Sequence, residues 1–503
     1  MKSTLTKHSP IVAALLLGTT AASADVTPQQ VWENWLAQME PFGYEITATE
    51  TQQGNDLKIS DLVMNIDIPE EDATAEMTMP GFTFVDKGDG TVALEMPANY
   101  PMVIKFADEY DSGEVKINYN TVGLSMVASG EPGAINYAYS AASVEMSLDG
   151  IVAEGEAIDL GEISMSLINA QGNSLISGEE LVNSDQDFSA DQLVMNVDVQ
   201  DPEGSGEGAK LNLTFNDVNF ESISAFPLAM DPEDFGKAMA DGLAFDFGFA
   251  HDGLEAAFDT NIDGERMSGT QSAASGNFGF AFDSAGFSLV QNSYDTSVSM
   301  QVPEVPFPVS YELGETAIQL DVPLAQSEEE QDFKLAVTIG ELAVPDMLWS
   351  IADPTGQLPR DPATVSFDVT GTVKILANIF DPEAMMMMDG EPGELHSVSI
   401  NDIHVSMVGA ELNGSGAFTF DNSDLQSFDG LPRPEGSVEL YLTGANALMD
   451  KAVAMGMASE EDVMGARMMM GMFTVPGEGE DSLQSTIEVN AEGHVMANGM
   501  RLK

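Results

Sequence analysis

The stretch that decides the fold is Leu-Val-Met-Asn-Ile-Asp-Ile at residues 62–68, and Leu-Val-Met-Asn-Val-Asp-Val at residues 193–199 nearly repeats it. In the first copy Leu62, Met64 and Ile66 alternate with mostly polar residues, and the second copy keeps the same alternation. A period of two places successive side chains on opposite faces of a strand, so each copy predicts a strand with one apolar and one solvated face. The similarity fades a few residues to either side. We therefore interpret the repeated segment as a recurrent type of strand, with little support for a duplicated module.

The same alternation continues through nearly all of the chain after residue 50, for example at residues 245–249 and 278–282, where every second residue is Phe. Turn-forming pairs recur between the runs, among them Asp89-Gly90, Asp149-Gly150 and Asp252-Gly253. One apolar and one polar face is typical of antiparallel sheet with a solvated side. The sequence predicts an all-β fold of mainly antiparallel, curved sheets, elongated, with a few short helices.

Helices are predicted at a few places only. Thr27 caps the first helix, a second begins near residue 231, and residues 445–457 and 459–472 form a helical hairpin in which Ser459 and Asp462 fit a capping box. The length favours two β-rich halves rather than one core. We divide the chain into a signal peptide (1–24), an N-terminal β-rich domain with the leading helix (25–230) and a C-terminal β-rich domain with the helical hairpin at 445–472 (231–503).

The first segment indicates the compartment. Lys2 and Lys7 form a basic start, residues 11–17 are apolar, and the small residues at 22–24 supply a cleavage site after Ala24. No later segment approaches 18 uninterrupted apolar residues, so no transmembrane span is expected in the mature chain. The chain has no cysteine, hence no disulfides and no lipidated N-terminal Cys. These features predict a secreted, periplasmic protein.

The charge balance is strongly acidic, with 83 Asp and Glu against 17 Lys and Arg and a formal net charge of −66. Such a surface repels phosphate backbones, so nucleic acid is excluded as a partner. The acids either solvate the surface or collect divalent cations. Residues 86–90 come closest to a calcium loop, but they lack its terminal acid and favour a hairpin turn.

Methionine and phenylalanine recur in the middle of the predicted strands, and the chain holds 31 Met and 25 Phe. Methionine is flexible and polarisable, so a face rich in it adapts to irregular ligands. One interpretation is an apolar groove for a lipid or another hydrophobic guest, and the other is ordinary packing of the sheet. The runs at 385–388 and 468–470 do not predict a copper site, because consecutive side chains diverge. The candidate groove residues are Met64, Met126, Met195, Phe245, Phe278, Phe280, Met300 and Met407.

No catalytic signature is present. The chain lacks a Gly-x-Ser-x-Gly elbow and a His-Glu-x-x-His motif, and His396 and His404 near Asp402 have no spacing typical of a metal site. The apolar positions change parity across Asn401 and Asp402, which predicts a bulge or tight turn there. We expect no enzyme activity, no catalytic residues, no metal and no cofactor.

The most distinctive local block covers residues 344–354 and 358–364, where Arg360 follows Pro359 in a chain that has few cations. Two roles are open for a site formed by Trp349, Asp353, Arg360 and Asp361. It is either a structural corner in which the guanidinium pairs with Asp353 or Asp361, or an anion or headgroup contact at a groove mouth. Together with residues 26–35 and 477–502, this block resembles the bacterial family known as domain of unknown function 2125. The resemblance implies a secreted, β-rich protein and no catalytic residues.

The leading functional hypothesis is a non-catalytic periplasmic binding or carrier protein for a hydrophobic envelope component such as lipid. An open apolar cleft would then form a contiguous patch larger than a few hundred Å². The alternative is a structural or scaffolding envelope protein that acts through protein–protein contacts. A hydrolase of envelope polymers would instead need carboxylates with displaced pKa values in a cleft.

Overall fold

The structure is a computed structural model, and it describes residues 25–39, 43–68, 73–107, 112–178, 180–202, 204–228, 235–388 and 390–503. The predicted signal peptide and the predicted domain boundary at residues 230 and 231 lie outside the described residues. Both stay predictions.

Most of the described chain is β-strand. The strands are β1 (Glu45–Gln53), β2 (Asp56–Ile68), β3 (Ala73–Met79), β4 (Phe82–Asp86), β5 (Val92–Glu95), β6 (Asn99–Ala107), β7 (Ser112–Val122), β8 (Ser125–Glu131), β9 (Ala134–Ala153), β10 (Glu156–Ile158), β11 (Gly161–Ser177), β12 (Leu181–Gln200), β13 (Gly208–Pro227), β14 (Ala244–His251), β15 (Leu254–Ile262), β16 (Glu265–Ala273), β17 (Ser275–Phe282), β18 (Gly286–Gln301), β19 (Val309–Pro323), β20 (Gln331–Leu342), β21 (Ala363–Ile375), β22 (Gly393–Met407), β23 (Ala410–Asp421), β24 (Arg433–Thr443), β25 (Val475–Pro476), β26 (Ser482–Val489), β27 (Val495–Ala497) and β28 (Met500–Arg501).

Within the same described ranges, the helices are α1 (Pro28–Met39), α2 (Phe235–Ala240), α3 (Asp346–Ala352), α4 (Pro382–Met387), α5 (Ala445–Ala454) and α6 (Glu460–Phe473). The predicted first helix and the predicted helical hairpin are therefore present. Ser459 accepts a hydrogen bond from the Asp462 N–H, and the Asp462 side chain bonds back to the Ser459 N–H, so the capping box is confirmed. The predicted start of the second helix at residue 231 lies outside the described residues.

The 28 strands belong to a single sheet in which each crossing of the chain pairs with the crossings before and after it. The pairings between the long strands are antiparallel, as in β11 with β12, β12 with β13 and β18 with β19. This confirms the prediction of an all-β, antiparallel fold. At about 4.8 Å per strand, about twenty successive crossings extend the sheet over roughly 90 Å. The ladder continues from β13 into β14, across the predicted division into two halves.

A line of interruptions runs across the sheet near the middle of its long strands, and we call this line the crease. In some crossings it separates two consecutive strands, as between β14 and β15, which both pair with β13. In the unbroken strands it is a residue with a left-handed backbone, such as Asn169 (φ 51°), Asp217 (φ 48°) and Asp295 (φ 50°). Asn and Asp tolerate this backbone region, which differs from that of a regular strand. The ladder keeps its register across these residues, so the interruptions stay aligned from strand to strand and the sheet folds along the crease.

Small buried residues lie along the crease. The parts of the sheet on either side of the crease, which we call the two walls, meet over these residues. Phe215 on one side of the crease and Phe249 on the other lie 5.3 Å apart, in T-shaped contact. Both pack against a buried cluster of Ala170, Ala190 and Val218. The inside of the fold is thus the apolar face of the sheet. The buried residues along the crease are Ala141, Ala170, Ala190, Val218, His251, Ala273 and Thr296.

Two of the predicted turns are wrong. Asp149-Gly150 lies inside β9, where the partner β7 shifts register between Lys116 and Ile117. Asp252-Gly253 lies at the crease between β14 and β15, where the chain keeps its direction along β13. At both pairs the strand pairing is interrupted or shifted, and the chain continues in the same direction instead of reversing. The turn at Asp89-Gly90 is confirmed, since it joins the paired strands β4 and β5.

The parity change predicted around Asn401 and Asp402 is confirmed. Strand β22 shifts register against β21 between Asp368 and Val369, and against β23 between Ile400 and Ile403. The extra residue restores the apolar side chains of β22 to the inner face of the sheet.

Candidate binding trough

The apolar face inside the folded sheet forms a trough that runs along the crease and crosses the strands. The pairing register builds it, because residues directly opposite one another in antiparallel strands share a face. Met146, Met165, Met195 and Leu213, for example, form one row across four strands. The register places the eight predicted groove residues on this face: Met64, Met126, Met195, Phe245, Phe278, Phe280, Met300 and Met407.

The three predicted phenylalanines belong to an aromatic section of one wall. Phe245 lies 5.1 Å from Phe226, and Phe280 lies 5.5 Å from Phe287, with both pairs edge to face. The six phenylalanines of β14 and β17 stand directly opposite one another in the ladder. This wall is broad and apolar.

The trough is open along much of its length. Five apolar side chains of its lining keep about two fifths of their surface exposed: Phe278 (40%), Ile318 (39%), Leu335 (38%), Ile339 (43%) and Val365 (46%). A closed core would bury such residues almost completely.

Helix α1 covers the N-terminal end of the trough and, together with the sheet, lines a half-open cavity of 250 Å³ there. Every residue that lines this cavity is apolar or aromatic. The helix contributes Trp35 and Met39, and the sheet contributes Met64, Leu94 and Tyr100 among others. The predicted groove residue Met64 thus lies in a covered part of the trough.

Two further cavities continue the first one along the trough. The next has a volume of 240 Å³ and shares Trp35 and Met39 with the first cavity. It shares Met126 and Tyr139 with a third cavity, of 300 Å³, which reaches Phe188. The three cavities are therefore linked by shared lining residues, most of which are apolar or aromatic.

Aromatic contacts and two side-chain hydrogen bonds hold α1 against the sheet. The Trp35 ring lies 5.2 Å from Phe84 and 6.4 Å from Tyr137. The Trp32 Nε1–H donates to Glu50 Oε1 at 2.8 Å, and the Tyr137 hydroxyl donates to Asn34 Oδ1 at 2.7 Å. Burial raises the pKa of the Tyr137 hydroxyl, which therefore stays neutral and keeps its proton for this bond.

The outer face of the sheet carries the charge. Acidic residues alternate there with the trough residues, and some pair with a cation on the neighbouring strand, as Glu76 does with Lys105 and Asp198 with Lys210. The strand period therefore separates the two chemistries, with charge outside and apolar surface inside.

The predicted corner at Trp349, Asp353, Arg360 and Asp361 lies beside α3. Asp353 is 1% exposed, and its Oδ2 accepts the Leu358 N–H at 2.7 Å. That backbone hydrogen bond lowers the pKa of the Asp353 carboxyl. The ion pair shown by Arg360 is with Asp346 rather than with the two predicted partners. Whether this corner also contacts an anion stays a prediction.

The methionine runs lie on exposed helices. Met386 and Met387 on α4 are 86% and 80% exposed, and Met468 and Met469 on α6 are 69% and 62% exposed. Within the described ranges, no three His, Asp or Glu side chains are arranged to hold a metal ion. Over the same residues, none of the helices has the length and hydrophobicity needed to cross a membrane.

Comparison with known families supports the resemblance seen in the sequence. Residues 295–502 match the family described as an uncharacterized protein conserved in bacteria (DUF2125). The match includes the block around Arg360 and the C-terminal strands, while residues 26–35 lie outside it. No curated protein matches the chain.

Sequence reasoning located the apolar face but missed most of the cavity residues. Leu94 and Tyr139 were not singled out, because single aromatic or aliphatic residues in short runs carry no distinctive pattern. In β14 the phenylalanines occupy every second position from 245 to 249, and His251 is the next residue in this alternation. Its side chain therefore lies on the trough face as well. That continuation was the available signal for a polar residue inside the trough.

Proposed function

We propose that this protein is a non-catalytic, periplasmic binding or carrier protein for a hydrophobic envelope component such as a lipid, held in the trough. The observation that carries the proposal is a continuous apolar face, folded inward along the crease and left partly exposed. A soluble protein rarely keeps a large contiguous apolar surface in contact with water unless something covers it. A guest that fills the trough would remove that contact.

The size and chemistry of the covered part support a hydrocarbon guest. The linked cavities measure 250, 240 and 300 Å³, and ligand pockets typically occupy about 300–1,000 Å³ in total. Their lining residues are apolar and aromatic, with few polar groups to orient a hydrophilic ligand. Methionine at the lining adapts to guests of different shape. A flexible acyl chain fits this description better than a rigid polar solute.

The first test is native mass spectrometry of the protein recovered from cells without detergent, followed by solvent extraction. We expect a discrete added mass that extracts as lipid. A clean apo mass over several preparations would contradict the carrier proposal and favour the scaffolding alternative.

A matched pair of variants tests the location. Met195 faces the trough, and Asn196 beside it faces outward, opposite Ser164 and Asn212. In Met195→Glu the bound guest would strip water from an unpaired carboxylate, so we expect loss of the added mass. The Asn196→Glu variant adds the same charge on the solvated face and should retain it.

A second pair tests the open end. Ile339 lies on the trough face of β20 and is 43% exposed, whereas its neighbour Thr338 faces outward. We expect Ile339→Glu to reduce lipid retention and Thr338→Glu to leave it unchanged, with both variants folded by circular dichroism. Equal retention in both would restrict the guest to the cavities near α1.

A further inference from the structure

The floor of the trough contains a histidine, the one imidazole among the buried crease residues named above. His251 ends β14 on the trough face and is 9% exposed. Its ring packs beside the contacting pair of Phe215 and Phe249, 5.0 Å from the first ring and 6.1 Å from the second. The other buried residues of the crease are Ala or Val, except for Thr296.

The orientation of the His251 ring leaves one nitrogen free to donate. The Gly253 N–H donates to His251 Nδ1 at 3.3 Å, so in the neutral imidazole the proton resides on Nε2. Within the described ranges, His251 makes no other hydrogen bond through a ring nitrogen. Burial lowers the pKa of His251 and favours this neutral form.

The backbone makes room for the donor. Nε2 lies above Gly276, the residue paired with His251, and a Cβ at that position would come within 2.7 Å of the nitrogen. Ser293 is the next residue in the same row, and its hydroxyl lies 2.9 Å from that of Thr296. The two hydroxyls therefore lie in the row of His251 but two strands away from it, with Gly276 between them. Among the described residues, the fully buried side-chain atoms without a hydrogen-bond partner do not include His251 Nε2, so this nitrogen keeps contact with the open trough. A guest that displaces water from Nε2 must supply an acceptor, because a buried donor without a partner costs about 1–3 kcal/mol.

We propose that the His251 Nε2–H is the donor for a carbonyl oxygen of an acyl ester or amide whose hydrocarbon part lies along the trough. This inference rests on the proposed function and adds the chemical class of the guest. A neutral donor packed against two phenylalanines suits a neutral carbonyl better than a carboxylate or a phosphate, which would lose much of its hydration there.

The test compares two probes of similar length with the full-length protein: methyl hexadecanoate, labelled with ¹³C at the carbonyl, and octadecane. Each is delivered from cyclodextrin, and its affinity is measured by competition. We expect the protein to prefer the ester by roughly two- to twelve-fold, the factor that one neutral hydrogen bond supplies. The His251→Leu variant should lose this preference while it retains octadecane, and His251→Gln, which keeps a donor, should retain part of it.

Infrared spectroscopy gives a readout that a purely structural role of His251 would not change. The labelled carbonyl band should shift to lower frequency in the wild-type complex, relative to the ester in hexadecane, and return in His251→Leu. An unshifted band in the wild type would overturn the inference while the trough still binds both probes, even if the variant failed to fold. If the wild type binds neither probe, the proposed function itself fails.

Discussion

Replacing Trp35 with Ala should both loosen α1 and join two cavities. The Trp35 ring contacts Phe84 at 5.2 Å, Phe82 at 5.4 Å and Tyr137 at 6.4 Å. Truncating a core Trp to Ala costs about 3–5 kcal/mol, and Trp35 is only partly buried, so we expect the free energy of unfolding to fall by about 3 kcal/mol. Because the ring lines both the 250 Å³ and the 240 Å³ cavity, its removal should also open a longer apolar channel.

The assay combines urea unfolding, followed by far-ultraviolet circular dichroism, with native mass spectrometry of the protein mixed with saturated fatty acid methyl esters of increasing chain length. Compared with the wild type, Trp35→Ala should unfold at lower urea and retain longer esters. The control is Glu33→Ala on the exposed side of the same helix, with an expected change within about 0.5 kcal/mol. A loss below about 1 kcal/mol for Trp35→Ala would refute the packing of α1 into the trough. An unchanged ester profile would refute the link between the cavities.

Two further predictions concern the crease and the acidic surface. Ala190, 5% exposed in the crease, should not accept a larger side chain: Ala190→Leu should cost about 1–3 kcal/mol of unfolding free energy and reduce lipid retention, whereas Ala336→Leu on the outer face should do neither. Hydrogen bonds from Ser423 and then Arg433 lower the pKa of Asp421 to about 2, so its contribution to stability is complete above pH 3.8 and is lost as the pH falls toward 2. The difference in melting temperature between wild type and Asp421→Asn should therefore shrink from pH 5 to pH 2, and a constant difference would contradict this assignment.

The faces of the sheet could be predicted from the sequence because side-chain alternation in a strand is a local property. Met64 and Met195 each follow apolar residues at spacing two, and the structure places both on the trough face. The two copies of the opening motif occupy equivalent places: each begins just after a crease residue, Asp61 in β2 and Asp191 in β12. The repetition therefore marks the same wall of the trough in two crossings.

The crease could not be predicted, because its local chemistry is also that of a turn. Asp252 and Gly253 suit a left-handed backbone and predict a chain reversal just as well as a bulge. Only the pairing of β14 and β15 with consecutive parts of β13 distinguishes the two, and that pairing is a long-range property. The parity change between Ala190 and Leu193 was visible in the sequence, but a single such change also fits the end of a strand.

The cavities near α1 depend on contacts that are even more distant in the chain. Asn34 meets Tyr137 across 103 positions, and this contact helps to seat α1 in the trough. An amphipathic helix near the N-terminus could equally pack on the outside of a sheet. The sequence thus predicted the helix, whereas the position of the helix over Met64 and Leu94 depends on the folded sheet.

The folded sheet suggests a structural role for the large negative net charge. An open apolar trough in a long sheet invites association with a second copy, through the trough or through the edges. Because the acidic residues occupy the outer face in alternation with the trough residues, as Asp198 does beside Val197, two copies that approach each other repel. Only some of these acids have a cation nearby, such as Lys210 for Asp198. We therefore expect the surplus negative charge to oppose burial of the apolar face against another copy of the protein, which would leave that face open to the proposed guest.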